Sequence, residues 1–142
     1  SAGGHIAAST ALLDGFHEPD ADTTISACPD ALVLFNPVVD NGPGGNAHDR
    51  IGDRYTEFSP LHNVDEDAPP TLFLLGTEDD LIPVSTARRF QSLMQEAGAR
   101  CVVVLYMGQG HGFFNRAEGA NYYGQSLAEA TAFLRTLDYL DN

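Results

Sequence analysis

The sequence contains no lysine, so its basic side chains are seven arginines, against 20 aspartates and glutamates. The formal net charge of −13 disfavours nucleic acids and anionic membrane surfaces as partners, because proteins contact phosphates mainly through arginine and lysine. We interpret the acidity as that of a solvated protein surface.

Long apolar segments are also lacking, since no run approaches the roughly 20 residues that a membrane-spanning helix needs. The sequence therefore predicts no membrane span and leaves the cellular location open. The two cysteines, Cys28 and Cys101, form no metal-ligand pattern, and they permit one disulfide without requiring it. We expect two free thiols, and neither a metal nor another cofactor.

The 142 residues contain enough apolar material for one packed domain, since 43% of them are hydrophobic and 19% are charged. We therefore treat residues 1–142 as a single domain. Three apolar stretches have the length and composition of strands buried in a parallel sheet. They are Ala31–Phe35, Thr71–Leu75 and Cys101–Tyr106.

Helical patterns alternate with these strands. The segment His5–Leu13 predicts a helix buried on most of its circumference, and Thr86–Ala97 predicts an amphipathic helix that stops at Gly98. This alternation implies parallel strands joined by right-handed crossovers, so the predicted fold class is α/β. A final helix is expected to cover one face of the sheet through an apolar stripe of Tyr123, Leu127, Ala130, Leu134 and Leu137.

Chemically capable side chains follow two of the predicted strands. Carboxylates at Glu78, Asp79 and Asp80 come after the second strand, and His111 stands between glycines after the third. Catalytic groups gather at the carboxyl ends of parallel strands, where a carboxylate can orient a histidine and stabilise its charged form. An N-capping aspartate and a solvated histidine are the alternative interpretation.

The first residues supply a possible third member. Ser1-Ala2-Gly3 reads as the second half of the G-x-S-x-G nucleophile elbow, followed at once by a helix. Nucleophile, then acid, then base is also the chain order of serine esterases built on a strand-turn-helix elbow.

These motifs in this order resemble the esterase and lipase group of α/β-hydrolases, which includes bacterial carboxylesterases and acetyl-xylan-esterase-like and feruloyl-esterase-like members. The resemblance covers essentially all 142 residues. The landmarks are Ser1-Ala2-Gly3-Gly4-His5, Phe58-Ser59-Pro60-Leu61, Ala68-Pro69-Pro70-Thr71, Gly76-Thr77-Glu78-Asp79 with Pro83, and Gly108-Gln109-Gly110-His111-Gly112-Phe113.

The resemblance implies a serine carboxylic-ester hydrolase in which Ser1 is the nucleophile, Asp79 the acid and His111 the base. Asp79 matches because the acid of this group lies four positions before a proline, here Pro83. Glu78 and Asp80 stay open as alternative acids. Ala2 would donate one backbone N–H to the oxyanion hole.

The resemblance also implies a small acyl ester as substrate, with Phe113 and Phe114 beside the acyl group. It further implies that the strands preceding the nucleophile, and the loop giving the second oxyanion N–H, lie outside this sequence. We therefore expect the C-terminal half of an α/β-hydrolase fold, whose open sheet edge pairs with the missing N-terminal half or with a second copy.

The remaining polar candidates have simpler interpretations. His5 is expected to be a hydrogen-bonded packing residue, and three loop histidines are expected to be solvated. Asp49 and Asp53 could bind a cation, but they match no calcium loop. The loop histidines are His17, His48 and His62.

Two other functions remain open at this point. In an N-terminal-nucleophile hydrolase the α-amine of Ser1 would be the base, although that class uses mainly antiparallel sheets. A non-catalytic interaction module that keeps the fold is the other alternative.

Overall fold

The computed structural model describes residues 1–16, 18–22, 24–116 and 120–141 of the chain. A three-stranded parallel sheet in the order β1-β2-β3 forms its centre, built from Leu32–Phe35, Thr71–Gly76 and Cys101–Tyr106. Each strand begins within one residue of its predicted start. The predicted parallel α/β architecture is therefore confirmed.

The central strand β2 is buried at all six positions, because β1 and β3 flank it and helices cover both faces of the sheet. The strand β1 pairs with β2 along one edge only, through a register that runs from Leu32 opposite Thr71 to Phe35 opposite Leu74. Burial along β1 alternates between full and partial. Leu32 and Leu34 are buried on one face of the sheet, and Val33 and Phe35 pack partly buried on the other, so the expected burial of this strand is complete on one face and partial on the other.

The first helix, α1, spans Ala2–Leu12 and so begins earlier than predicted. Ala8 and Leu12 are its buried side chains, whereas Ile6 is 66% exposed. The prediction of burial around most of the helix is wrong here, because α1 packs against the sheet through one side and the described chain offers nothing to cover the other.

The helix α3 spans Val84–Glu96, and it is amphipathic as predicted, since it buries Ala87, Phe90 and Met94. Gly98 follows it with φ +81°, a conformation that suits glycine and ends the helix. Together, α1 and α3 enclose one face of the sheet.

The last helix, α4, spans Ala120–Arg135 and covers the opposite face of the sheet. Its buried side is offset from the predicted stripe: Ser126, Ala130 and Phe133 are buried, whereas Tyr123 and Leu127 are 43% and 54% exposed. The predicted stripe is confirmed at Ala130, Leu134 and Leu137, which pack against this face of the sheet, and is wrong at Tyr123 and Leu127. Phe133 packs into the core instead, and a four-and-three spacing fits more than one helix face.

The β1–β2 connection folds into short helical turns, which are α2 (His48–Ile51) and two 3-10 turns at Gly52–Glu57 and Pro60–His62. Among the helices of the described residues, none is long and apolar enough to cross a membrane.

Candidate active site

The predicted acid lies in the turn that follows β2. The side chain of Asp79 is fully buried, and its Oδ1 accepts the backbone N–H groups of Leu81 and Ile82 at 2.9 Å each. This turn leads directly into α3. A carboxylate held by two backbone donors has one fixed orientation, so its second oxygen is presented to a neighbouring group.

That neighbouring group is His111, in the turn after β3. Its Nδ1 lies 2.8 Å from Oδ2 and 3.0 Å from Oδ1 of Asp79, and its side chain is 27% exposed. A carboxylate accepts the Nδ1–H, which leaves the Nε2 lone pair free to take a proton. The structure therefore brings together the two residues that the sequence analysis predicted as acid and base at the ends of adjacent strands.

Three hydrogen bonds join the turn after β2 to the end of β3 and the turn that follows it. The N–H of Thr77 donates to the carbonyl of Tyr106 at 3.0 Å, and that of Glu78 donates to the carbonyl of Gln109 at 2.9 Å. The N–H of Gly108 returns a bond to Oγ1 of Thr77 at 2.8 Å. Asp79 and His111, the predicted acid and base, are therefore positioned as one unit.

Gly76 permits this close approach. A Cβ at this position would overlap the carbonyl oxygen of Gln109 and approach that of Gly110. The side chains of Glu78 and Asp80, the two alternative acids, belong to exposed residues of the same turn, and neither hydrogen-bonds His111 among the described residues. The geometry favours Asp79 over both.

Ser1 lies at the start of α1 and is exposed, as is Ala2. The Ser1 carbonyl accepts the N–H of His5 at 2.9 Å and that of Val38 at 3.4 Å. No hydrogen bond joins the Ser1 hydroxyl to His111 in the part of the chain that the structure describes. Ser1 is thus linked to the loop that follows β1, on the side of the sheet edge where the acid and base stand.

Close packing holds α1 against that loop. A Cβ on Gly4 would lie 2.7 Å from the Cβ of Pro37, so a larger residue would separate the two elements. Nδ1 of His5 donates to the carbonyl of Val38 at 2.9 Å. His5 therefore has the packing role that the sequence indicated.

Sequence reasoning missed one residue of the site, Asn36. It directly follows β1, is fully buried, and has φ +35°, a left-handed conformation that is uncommon for a residue with a side chain. Its Nδ2 lies 2.9 Å from Nε2 and 3.2 Å from Nδ1 of His111. The available signal is its place at the carboxyl end of a strand, directly after Phe35.

The two aromatic residues predicted to face substrate differ in position. Phe113 is 4% exposed and stacks on Tyr106 with ring centroids 4.5 Å apart, so it belongs to the core. Phe114 is partly buried and lies 5.0 Å from the ring of Phe35. Of the pair, Phe114 alone has accessible surface beyond a few per cent.

Two loop histidines are less exposed than expected. Nδ1 of His48 donates to the Asn41 carbonyl at 3.0 Å, and Nδ1 of His62 lies 2.8 Å from Oγ of Ser59. Their expected solvation is wrong because the loop folds back and the ring of Tyr55 packs between them. The third, His17, lies outside the described residues.

No group of three or more potential metal ligands occurs among the described residues, and Asp49 and Asp53 are exposed and separate. Both cysteines are free thiols, as expected: Cys28 is exposed and Cys101 is buried. Burial raises the pKa of the Cys101 thiol to about 12.

Comparison with known proteins adds a family to this geometry. Residues 34–137 match the prolyl oligopeptidase family, peptidase S9. Esterase LipQ of Mycobacterium tuberculosis is 28% identical over 150 residues, which cover 93% of this chain and 35% of LipQ. The acylamino-acid-releasing enzyme of Arabidopsis thaliana is 31% identical over 58 residues, 41% of this chain and 8% of that enzyme.

Solved structures of Thermogutta terrifontis esterase 2 superpose closely. The paraoxon-phosphorylated form shares 36% identity at a TM-score of 0.88 and covers 99% of this chain and 52% of its own. The propionate-bound form shares 35% identity at a TM-score of 0.88, with coverages of 100% and 55%. This chain thus spans about half the length of these esterases and a smaller share of the curated relatives.

The homologues and structural neighbours are esterases and serine hydrolases, which agrees with the sequence-based expectation of a hydrolase. The three parallel strands and their flanking helices are those of an α/β-hydrolase. The chain belongs to the prolyl oligopeptidase family of α/β-hydrolases.

Proposed function

We propose that this chain supplies the catalytic residues of a serine esterase, with Ser1 as nucleophile, Asp79 as acid and His111 as base. The observation that carries the proposal is the 2.8 Å contact between Oδ2 of Asp79 and Nδ1 of His111. A buried carboxylate on Nδ1 selects the tautomer whose Nε2 can accept a proton, which is the form a general base requires.

The proposed reaction is acyl transfer in two steps. Nε2 of His111 takes the hydroxyl proton of Ser1 as Oγ attacks the ester carbonyl, and His111 then gives that proton to the leaving alcohol. Water repeats the sequence on the acyl-enzyme and releases the carboxylic acid and free Ser1. Asp79 stabilises the imidazolium at each stage without accepting the proton.

Charge on the tetrahedral intermediate needs backbone donors. The N–H of Ala2, the residue after the nucleophile, is proposed as one of them, because that position turns its amide towards the attacked carbonyl in a nucleophile elbow. A second donor is proposed to come from the half of the fold that precedes Ser1 in related enzymes.

A short acyl ester is the proposed substrate. The propionate and butyrate bound to Thermogutta esterase 2 support this size class. Phe114, which follows His111 by three residues and is only partly buried, is proposed to contact the acyl or alcohol group. Phe113 is left out of the proposal because it lies in the core.

The uncovered surface beside α1 and β1 supports the proposal that a further part of the fold packs there. The free edge of β1, the exposed Ile6 and an apolar groove of about 330 Å³ all lie on or beside the side that α1 presents. We propose that residues 1–142 are one part of a single α/β-hydrolase domain, and that the N-terminal half covers this surface. The groove is lined partly by Leu13, Phe16 and Phe58.

Sequencing the gene upstream of the Ser1 codon tests that partner directly. An open reading frame that places Gly-x directly before Ser1 would support the N-terminal half, whereas a start codon directly before Ser1 would contradict it. In the second case dimerisation through the β1 edge is the remaining arrangement, and sedimentation would detect it.

The catalytic assignment is tested on the chain expressed with whatever residues its gene encodes upstream of Ser1. A fluorophosphonate probe should label Ser1, as paraoxon phosphorylates the related Thermogutta enzyme. His111→Ala should abolish labelling and p-nitrophenyl acetate hydrolysis, whereas the control His48→Ala should keep both.

Two outcomes would overturn the assignment. Full hydrolysis by the His111→Ala variant would show that another base, such as the α-amine of Ser1, removes the hydroxyl proton. Absence of labelling in a folded wild-type protein, with a control esterase labelled in parallel, would leave a non-catalytic role.

A second substrate class has support from the peptidase relatives. The acylamino-acid-releasing enzymes of Arabidopsis thaliana and rice match a segment of this chain, and amide hydrolysis would use the same three residues. Comparing the rates on an acetyl-alanine p-nitroanilide and on p-nitrophenyl acetate distinguishes the two classes.

A further inference from the structure

Asn36 is buried against the proposed base, yet the reaction described above gives it no role. Its Nδ2 approaches both ring nitrogens of His111 at similar distances, 2.9 Å to Nε2 and 3.2 Å to Nδ1. A donor on the in-plane lone-pair axis of Nε2 would lie far from Nδ1, because the rest of the ring stands between them. The amide therefore lies over the face of the imidazole.

This placement leaves the Nε2 lone pair open within the ring plane. It also places an N–H group against the π face of the ring, which is a favourable though weak contact. Asp79 holds one edge of the ring at Nδ1, but a single edge contact allows the ring to tilt. A second contact on the face limits the tilt.

The position of Asn36 itself is firmly set. Its backbone N–H donates to the carbonyl of Leu74 on the neighbouring strand at 2.8 Å, and its side chain is fully buried. Its φ of +35° is a conformation that asparagine tolerates better than most residues. The pairing of this residue with β2 therefore fixes the point from which the side-chain amide extends.

Two features of Asn36 lower the stability of the fold and would be unexpected in a residue that only fills space. Its Oδ1 is buried and has no hydrogen-bond partner among the described residues, and its backbone is left-handed. Unsatisfied buried polar atoms and unusual backbone conformations concentrate at functional sites. The loop after Asn36 also contacts the Ser1 carbonyl through Val38, so Asn36 lies between the nucleophile and the base.

We infer that Asn36 is a positioning residue, whose amide packs on the face of His111 and aims Nε2 at the Ser1 hydroxyl. The inference rests on the proposed role of His111 as base. Misplacing a catalytic group by about 1 Å can cost about a hundredfold in rate, so the effect should appear in kcat.

The variant Asn36→Gly removes the amide and keeps the backbone, because glycine adopts positive φ without strain. The control is Asn41→Ala, at a second buried asparagine, whose Nδ2 donates to the Asn46 carbonyl at 2.9 Å in the neighbouring loop. Both variants lose a buried amide, but only the first lies against His111.

For Asn36→Gly we expect kcat on p-nitrophenyl acetate to fall by about tenfold to a hundredfold, with KM changed less than twofold. The Cε1–Hε1 resonance of His111 in a carbon–proton correlation spectrum should move in Asn36→Gly and stay in place in Asn41→Ala. Melting temperatures of the two variants show whether either change reflects lost stability.

Wild-type kcat in Asn36→Gly, or an unmoved His111 resonance, would overturn the inference. An equal loss of kcat in Asn41→Ala would overturn it as well, since a general loss of packing would then explain the effect. Failure of the proposed function is distinguishable, because it would appear as activity retained by His111→Ala whatever Asn36→Gly does.

Discussion

Oδ2 of Asp79 lies 2.8 Å from Nδ1 of His111, while Oδ1 of the same carboxylate accepts two backbone N–H groups. One oxygen thus anchors the side chain and the other orients the ring. The exposed carboxylates on either side, Glu78 and Asp80, have no such anchor among the described contacts. Asp79 therefore differs from the other two acids because the orientation of its carboxylate is fixed in advance.

We expect Asp79→Asn to lower kcat on p-nitrophenyl acetate by about 10⁴-fold, the scale seen when a triad aspartate becomes an amide. The amide keeps the shape and one oxygen for the backbone donors, but its NH₂ group cannot accept the Nδ1–H, so the ring takes the wrong tautomer. Steady-state kinetics measure the loss.

The matched controls are Glu78→Gln and Asp80→Asn, which neutralise the neighbouring exposed acids. Both should retain kcat within about threefold, since long-range effects of exposed charges are screened. A loss of kcat in Asp80→Asn as large as that in Asp79→Asn would contradict the assignment of Asp79 as the acid and favour Asp80.

We expect Gly76→Ala to destabilise the fold and the site together. The added methyl group meets the Gln109 carbonyl, so the turns after β2 and β3 must separate. Overpacking of this kind costs about 1–3 kcal/mol. Urea unfolding measures the change in free energy, and Gly3→Ala is the control because a Cβ added at Gly3 would have no neighbour within 4 Å. Equal stability of the two variants would contradict the close approach.

The two thiols should differ in reactivity. Burial raises the pKa of Cys101 to about 12, so it has almost no thiolate at pH 8, whereas Cys28 is exposed. Ellman's reagent should titrate one thiol quickly in the native protein and a second only after denaturation, and Cys28→Ser should remove the fast phase. Two fast thiols in the native protein would disprove the burial of Cys101.

Stability should fall in mild acid because of His62. Desolvation lowers its pKa below the usual 6.5, more than Asp40 raises it, and Arg89 lowers it further. The unfolded chain therefore binds the proton more readily, so the contribution of His62 is complete above about pH 6.5 and is lost as the pH falls below it.

The free energy of unfolding at pH 7.5 and pH 5.5, measured in urea for the wild type and for His62→Gln, isolates this contribution. The wild type should lose more stability between the two pH values than the variant does, because the other titrating groups are common to both. An equal or smaller loss in the wild type would show that His62 is not held neutral.

The sheet and the proximity of Asp79 and His111 were predictable because each depends on local signals. The strand β3, Cys101–Tyr106, matched its prediction at both ends. An uncharged β-branched run bounded by Arg100 and Met107 favours a strand over other secondary structures. Asp79 and His111 were found because the carboxyl ends of parallel strands meet at one edge.

Other features depend on tertiary contacts that the sequence does not display. The exposure of Leu127 reflects the rotation that Phe133 gives to α4, and spacing alone could not choose between the two faces. Asn36 was missed because its contact spans 75 residues along the chain and depends on a left-handed backbone.

The hydrogen bonds from Thr77 to the last residue of β3, and from Glu78 to the turn that follows it, extend the ladder of the sheet into the site. Amides in surface turns commonly open by local fluctuation, but we expect these two to open together with the end of the sheet. Slow hydrogen exchange at these positions would accompany that of the core. On heating, the geometry of the acid and base would then persist until the sheet unfolds, so that loss of the site and loss of the fold would be a single transition.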